Sequence, residues 1–184
     1  MPKVELEPCA ADRRPVIEAM MQLYVHDFTE YWAGTGRGEL QEDGRFEPYP
    51  GLDRYWREPE RSAWLIRVDG QLAGFAMLSA SSHSGAPADH DMAEFFVVRK
   101  HRRGGVGFAA ASQLIGPRKG LWEIAVTRAN VGALAFWRRV AAEMAAGEVD
   151  EQWLDDHRWN GAILRFAVAV IRSAGDCATS CRAT

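Results

Sequence analysis

The chain is short of several things, and each shortage narrows the reading. Of its 184 residues three are cysteines, Cys9, Cys177 and Cys181, all near the ends. An odd count without paired spacing argues against a disulfide framework, and the CATSC run has no histidine partners to make a zinc site. Free thiols in a reducing cytoplasm are expected. Lysine is nearly missing: three of the 22 basic residues are Lys and nineteen are Arg, a bias that reads as genome composition. Charge of one sign is lacking too. A net charge of −3 provides no overall field to attract nucleic acid, so any anion site must be a local patch. No apolar run reaches the ~18 residues that cross a bilayer. The N-terminus has no basic stretch followed by an apolar one, as a secretory signal would. A cytoplasmic, soluble chain is expected, with neither membrane nor nucleic acid as partner. No repeat, linker or low-complexity tract divides it, and its length suits one domain.

What is present is a succession of helix and strand patterns. Asp12 to Phe28 reads as a helix: Pro15 suits its first turn, and Ile17, Met20, Met21, Tyr24 and Phe28 recur at spacings of three and four. The stretch HDFTEYWAGTGRGELQEDGRFEPYP is polar, glycine-rich and dotted with aromatics. A partly helical loop is expected there, longer than a connector needs, and such segments are often functional. SAWLIRV and LAGFAML are two strands joined at Asp69-Gly70, a strong hairpin signal. SSHSGAPADH reads as an exposed loop. DMAEFFVV is a third strand whose last four residues are apolar, as in a central strand covered on both faces. A helix follows from Val106, with Val106, Ala110 and Leu114 on one side and Gly116-Pro117 as its stop. LWEIAV is a strand, and Asn130 to Ala146 a helix with Ala133, Trp137, Val140 and Met144 on one face. Weaker strands are expected near Val149 to Leu154 and Ala162 to Val170, with the chain fraying from Ser173.

Between the third strand and its helix lies RKHRRGGVG. Glycines at 104, 105 and 107 expose backbone N–H groups at a helix N-terminus, where the dipole adds about half a positive charge. Arg99, Lys100, Arg102 and Arg103 surround them. This is chemistry for a phosphate or pyrophosphate. A P-loop is excluded, because no Lys-Ser or Lys-Thr follows the glycines. GVGFAA satisfies a dinucleotide G-x-G-x-x-A pattern. However, the strand before it follows a hairpin, and no acidic residue closes a strand about twenty positions on. A plain tight turn is the simplest alternative.

The segment also resembles the central motif of the GNAT superfamily of N-acetyltransferases, a strand followed by Arg/Gln-x-x-Gly-x-Gly/Ala and a helix. Arg102, Gly105 and Gly107 match it, after EFFVV. The family's next landmark, an Asn opening a helix with Ala three further on and an aromatic pair beyond, is similar to NVGALAFW, with Asn130, Ala133, Phe136 and Trp137. The likeness covers roughly residues 60 to 146. HDFTEYW looks like a segment of some uncharacterised bacterial members.

The resemblance implies an α/β (α+β) fold: a mixed, mostly antiparallel central sheet of six to seven strands, flanked by helices and splayed at the central strands. It implies one acyltransferase domain over 1–184, with N-terminal helices and an acceptor-side loop (1–60), an acyl-CoA-binding core (61–146), C-terminal strands (147–172) and a tail (173–184). It implies an N-acetyltransferase that uses acetyl-CoA as acyl-donor cosubstrate, an amine acceptor and no metal, and it leaves a homodimer open. The pantetheine arm would bond to the backbone of Phe96, Val97 and Val98 and to Asn130. Pyrophosphate would rest on Arg103, Gly104, Gly105, Val106 and Gly107, with Arg102 at the rim. Glu94 matches a position where some members keep a general base; His83, His90 and His101 are other candidates. Trp137 sits where many members have a Tyr that protonates the leaving thiolate. An indole is a very poor acid, so Tyr24, Tyr31, Tyr49, Tyr55 or water would substitute, or no acid is needed. Each feature also has a structural reading: Asn130 as helix cap, Glu94 as a paired carboxylate, Trp137 as core packing. His26, Asp27, Glu30 and Tyr31 are candidate acceptor contacts. A second reading keeps the fold but makes it an acyl-CoA-binding sensor.

Overall fold

The apolar runs fold close to where their patterns end. In the computed structural model, which describes residues 2–169, the strands are β1 (Val4–Pro8), β2 (Ser62–Val68), β3 (Gln71–Ser79), β4 (His90–Val97), β5 (Gly120–Thr127), β6 (Asp150–Asp155) and β7 (Asn160–Val168). The helices are α1 (Arg14–Thr29), α2 (Val106–Ile115) and α3 (Val131–Met144). Cys177, Cys181 and the tail expected from Ser173 lie outside the described residues.

All seven strands form one sheet in the order β1-β2-β3-β4-β5-β7-β6. Only β4 and β5 run parallel; the other neighbours are antiparallel. The expected mixed, mostly antiparallel and splayed sheet is therefore present. Asp69 and Gly70 both take positive φ (49° and 77°), as a tight two-residue hairpin between right-twisted strands requires. One side of the sheet packs Leu114, Val140, Trp122 and Phe166 beneath α2 and α3. The other packs Ile17 and Met21 of α1 against Leu65 and Phe75. Burial on both faces explains the unbroken apolar runs of β3 and β4.

Two features were not in the sequence reading. β1 is a five-residue edge strand, VELEP, paired with β2. Its alternating glutamates and terminal proline are common at sheet edges, where they discourage further pairing. The helix α1 begins at Arg14, after a 3-10 turn over Ala11–Arg13.

Two details of β4 position the site. Its pairing with β5 is confined to His90 opposite Trp122 and Asp91 opposite Glu123, after which the strands part. Against β3, Met77 opposes Glu94 while Leu78 opposes Met92, so Ala93 is an extra residue, a β-bulge.

Candidate active site

The parting of β4 and β5 opens a cavity of about 870 Å³. Its walls come from α1 (Tyr24, Phe28), the long 30–50 segment (Trp32, Tyr49), β4, the loop after β3 (His83) and Trp159 of the β6–β7 turn. The region after α1 thus supplies one wall.

Glu94 lines this cavity on the α1 side. Tyr24 donates its hydroxyl to Oε2, and Tyr49 donates to Oε1 at 2.6 Å. Burial pushes the Glu94 carboxyl above its ordinary range, against the two hydrogen bonds, which favour the charged form. Both phenols are held above their ordinary values by burial and by the adjacent carboxylate. The arrangement is a carboxylate that can take a proton, fixed by two hydroxyls that keep theirs.

The bulge brings a second carboxylate to the same face. Asp91 and Glu94 are an odd number of residues apart, which on a regular strand would put them on opposite faces. The extra residue, Ala93, cancels the alternation. Asp91 is 1 % exposed. Its Oδ2 accepts from Ser79 at 3.0 Å, while Oδ1 has no partner among the described residues. Burial pushes this carboxyl up to about 8; the Ser79 hydrogen bond opposes the rise, and Glu123 and Glu94 add to it. Between the ordinary carboxylate range and about 8, the folded state therefore holds a proton that the unfolded chain has lost, so this group makes stability fall as pH rises through that window. Asp91→Asn removes the dependence. The stability of the variant relative to wild type should climb between pH 5 and 8, by at most about 1.4 kcal/mol per pH unit, as read by urea unfolding. A flat difference would show that Asp91 is ionised in the folded protein.

The loop after β3 is less free than its composition suggests. Glu123, fully buried on β5, accepts from the His83 and Ser84 N–H groups at 2.5 and 3.1 Å and from the Ser82 and Ser84 hydroxyls at 3.0 and 2.6 Å. It also pairs with Arg165 of β7 at 2.5 Å. Burial pushes its carboxyl up, but these donors outweigh it and hold the group below its usual range. The pinned loop places the His83 ring against Trp159, with centroids 4.6 Å apart. Burial lowers the pKa of His83, and its Nδ1 has no partner among the described residues.

The glycine loop lies beyond the far end of β4. Arg103 and Gly105 both take left-handed φ (63° and 81°), and Gly105 caps α2 with no side-chain hydrogen bond. The first intrahelical bond found there is Ala109 N–H to the Gly105 carbonyl. The N–H groups of Val106, Gly107 and Phe108 therefore point out of the helix end. A Cβ at Gly107 would lie 3.4 Å from Phe136, so this glycine keeps α2 close to α3. Arg102 does not extend over the glycines. Its Nε donates to the Val97 carbonyl at 2.6 Å, and its guanidinium pairs with Asp27, which Arg99 also contacts at 2.7 Å. Just past β4, the Val98 N–H donates to the Ala73 carbonyl of β3 at 2.8 Å. Alternation along an antiparallel ladder then turns Phe96 toward β3 as well, and Phe95 and Val97 toward the gap.

Asn130 caps α3, its Oδ1 accepting from the Ala133 N–H at 3.0 Å and from the Tyr31 hydroxyl at 3.3 Å. Trp137 is buried edge-on to Phe95 and Phe136, with centroids 5.2 and 4.8 Å away, and it also lines the cavity. His26, Asp27, Glu30 and Tyr31 are not among the residues lining the cavity. His90 turns its Nε2 to the Lys119 carbonyl at 2.9 Å. The sequence reading missed Asp91 and Glu123, and it had Tyr24 and Tyr49 only as stand-ins for the acid. Among the described residues no group of His, Cys, Asp and Glu is arranged to hold a metal, and no helix is long and apolar enough to cross a membrane.

A model of the acetyltransferase (GNAT) family matches residues 17–141. No curated protein matches the sequence. Among solved structures, the chain is similar to an acetyltransferase from Thermus thermophilus, at 16% identity and TM-score 0.58, over 90% of this chain and 97% of that one. It is also similar to a GNAT family acetyltransferase from Elizabethkingia anophelis with acetyl-CoA bound, at 11% identity and TM-score 0.53, over 90% and 98%. A third is the PaiA N-acetyltransferase from Thermoplasma acidophilum in complex with coenzyme A, at 11% identity and TM-score 0.53, over 90% and 99%. At these identities the likeness carries the fold alone.

Proposed function

The chain belongs to the acetyltransferase (GNAT) family, and on that premise we propose that it transfers an acetyl group from acetyl-CoA to a primary amine of a small molecule, in a ternary complex. The observation that carries this reading is Glu94, a carboxylate of raised pKa held by two tyrosine hydroxyls and facing a cavity where β4 and β5 part. Complexes of two similar structures with acetyl-CoA or coenzyme A support the choice of donor.

The roles follow from chemistry. The donor's pyrophosphate would meet the uncapped α2 N-terminus at Val106 and Gly107, and its pantetheine arm would lie along the gap-facing backbone of Val97 and near Asn130. Glu94 accepts the proton of the incoming ammonium, directly or through water, and the neutral amine attacks the thioester carbon. The carbon–sulfur bond breaks and coenzyme A leaves as thiolate. Trp137 borders the sulfur region but is no acid. Tyr31 gives its hydroxyl to Asn130 and stands outside the cavity lining, so water is left to return a proton. Tyr24 and Tyr49 are committed to Glu94. A thiolate is also a tolerable leaving group unaided.

Calorimetric titration tests the donor. Acetyl-CoA is expected to bind at micromolar strength and better than ATP or NAD. Gly105→Glu should abolish binding, because it puts a carboxylate and a strained φ where an anion would approach. Equal affinity for ATP or NAD would instead make the loop a nucleotide site.

A further inference from the structure

Glu94 accounts for one end of the acceptor region and leaves a second set of polar atoms without a task. Asp91 and His83 both line the same cavity, and the buried Asp91 Oδ1 and His83 Nδ1 have no hydrogen-bond partner among the described residues. A buried polar atom without a partner is costly, and two on residues lining one cavity mark a place where a ligand supplies the missing donors. The positive charges nearby are engaged elsewhere. Arg61 bonds Glu58 at 2.7 Å and covers the Tyr55 ring at 5.2 Å, and Arg37 lies over the Trp32 ring at 4.4 Å. Neither arginine pairs with the two carboxylates that face the cavity, although Arg61 acts on the charge of Asp91 from a distance.

We infer that Asp91 and His83 form a subsite for a second ammonium group of the acceptor, which makes the acceptor a flexible diamine rather than a simple monoamine. The inference rests on the N-acyltransferase reading for which nitrogen reacts. One ammonium would give its proton to Glu94 and react. The other would stay charged and donate to Asp91 Oδ1 and to the neutral His83 ring. Asp91 and Glu94 oppose Ser79 and Met77, two residues apart on β3, so the bulge sets them on the order of 7 Å apart, which suits about four or five methylene groups between the nitrogens. Phe28, Trp32 and Pro48 line the cavity with apolar surface for such a linker. Ser79 and Glu94 on the neighbouring and same strands, Glu123 on β5, Arg61 before β2, and Tyr49 and Tyr55 all face Asp91 or are coupled to its charge. Held protonated by burial and its acidic neighbours, Asp91 would release that proton when an ammonium arrives.

The test is calorimetry on the full chain without acyl donor, with 1,5-diaminopentane and 1-aminopentane as probes. The diamine is expected to bind about 10–100-fold more tightly than the monoamine, the range of a hydrogen bond to a charged group. In buffers of different ionisation enthalpy it should release up to about one proton at neutral pH. In Asp91→Asn, which keeps the shape and the Ser79 contact, the diamine advantage should shrink to within a few-fold. Equal binding of the two probes to wild type would overturn the inference without reference to any variant. So would a variant that keeps the diamine preference. Binding needs no turnover, so a diamine preference with no acetyl transfer would sink the proposed activity and leave the subsite standing. Transfer to both amines with equal kcat/KM and equal affinity would do the reverse.

Discussion

Glu94→Gln is expected to lower kcat for amine acetylation by about 10²–10⁴-fold, the usual contribution of a positioned general base. The glutamine keeps the volume and can still accept one of the two tyrosine hydroxyls, so the cavity should persist and donor affinity should change little. What disappears is the proton acceptor. Burial raises the Glu94 carboxyl above its ordinary range, so wild-type kcat should rise with pH through a limb displaced upward from that range, as the carboxylate forms. The variant should lack this limb. Tyr24→Phe supplies a finer check. It removes a hydrogen bond that favours the charged form, so the limb should move to still higher pH while most of the activity remains at alkaline pH. Initial rates across pH, with donor saturating, read both effects. An unchanged kcat and profile in Glu94→Gln would remove Glu94 from the chemistry.

A large stability effect is expected at Gly74. A Cβ there would lie 2.0 Å from the Phe96 carbonyl oxygen and 3.0 Å from the Val97 Cα, both backbone atoms of the neighbouring strand that cannot swing aside. Gly74→Ala must push β4 away from β3 at the end that carries the gap-facing Val97. Overpacking of this kind costs about 3 kcal/mol or more. The displaced strand should also weaken donor binding in the molecules that still fold. Urea unfolding followed by tryptophan fluorescence measures the first effect, and calorimetry with acetyl-CoA the second. A loss below about 1 kcal/mol would mean that β3 and β4 are not held as tightly as this contact requires.

Much of the fold could be read from the chain because its elements are strongly periodic. The β2–β3 hairpin, the start of α2 at Val106 and the Asn130 cap of α3 all follow from local residues. The strand β1 escaped because five residues with two glutamates give too little pattern. The site is less legible because it is built across long separations. Tyr24 and Tyr49 reach Glu94 from 70 and 45 residues away. One clue was available: a glutamate inside an apolar strand and a tyrosine on the apolar face of a helix each need a buried partner. Nothing local shows the bulge at Ala93, and without it Asp91 and Glu94 would point to opposite faces. The same limit explains the basic cluster. Read along the chain, Arg99 and Arg102 form a rim for an anion; in the fold Asp27, more than seventy residues away, takes both.

The measurement that tests the central claim most directly is the release of free thiol from acetyl-CoA with and without primary amines, with the acetylated product identified by mass spectrometry. The account predicts thiol release that depends on the amine, yields the N-acetyl product in equal amount and is largely lost in Glu94→Gln. Tight binding of acetyl-CoA with no amine-dependent release, for monoamines and diamines alike, would contradict it and leave an acyl-CoA-binding module in this fold.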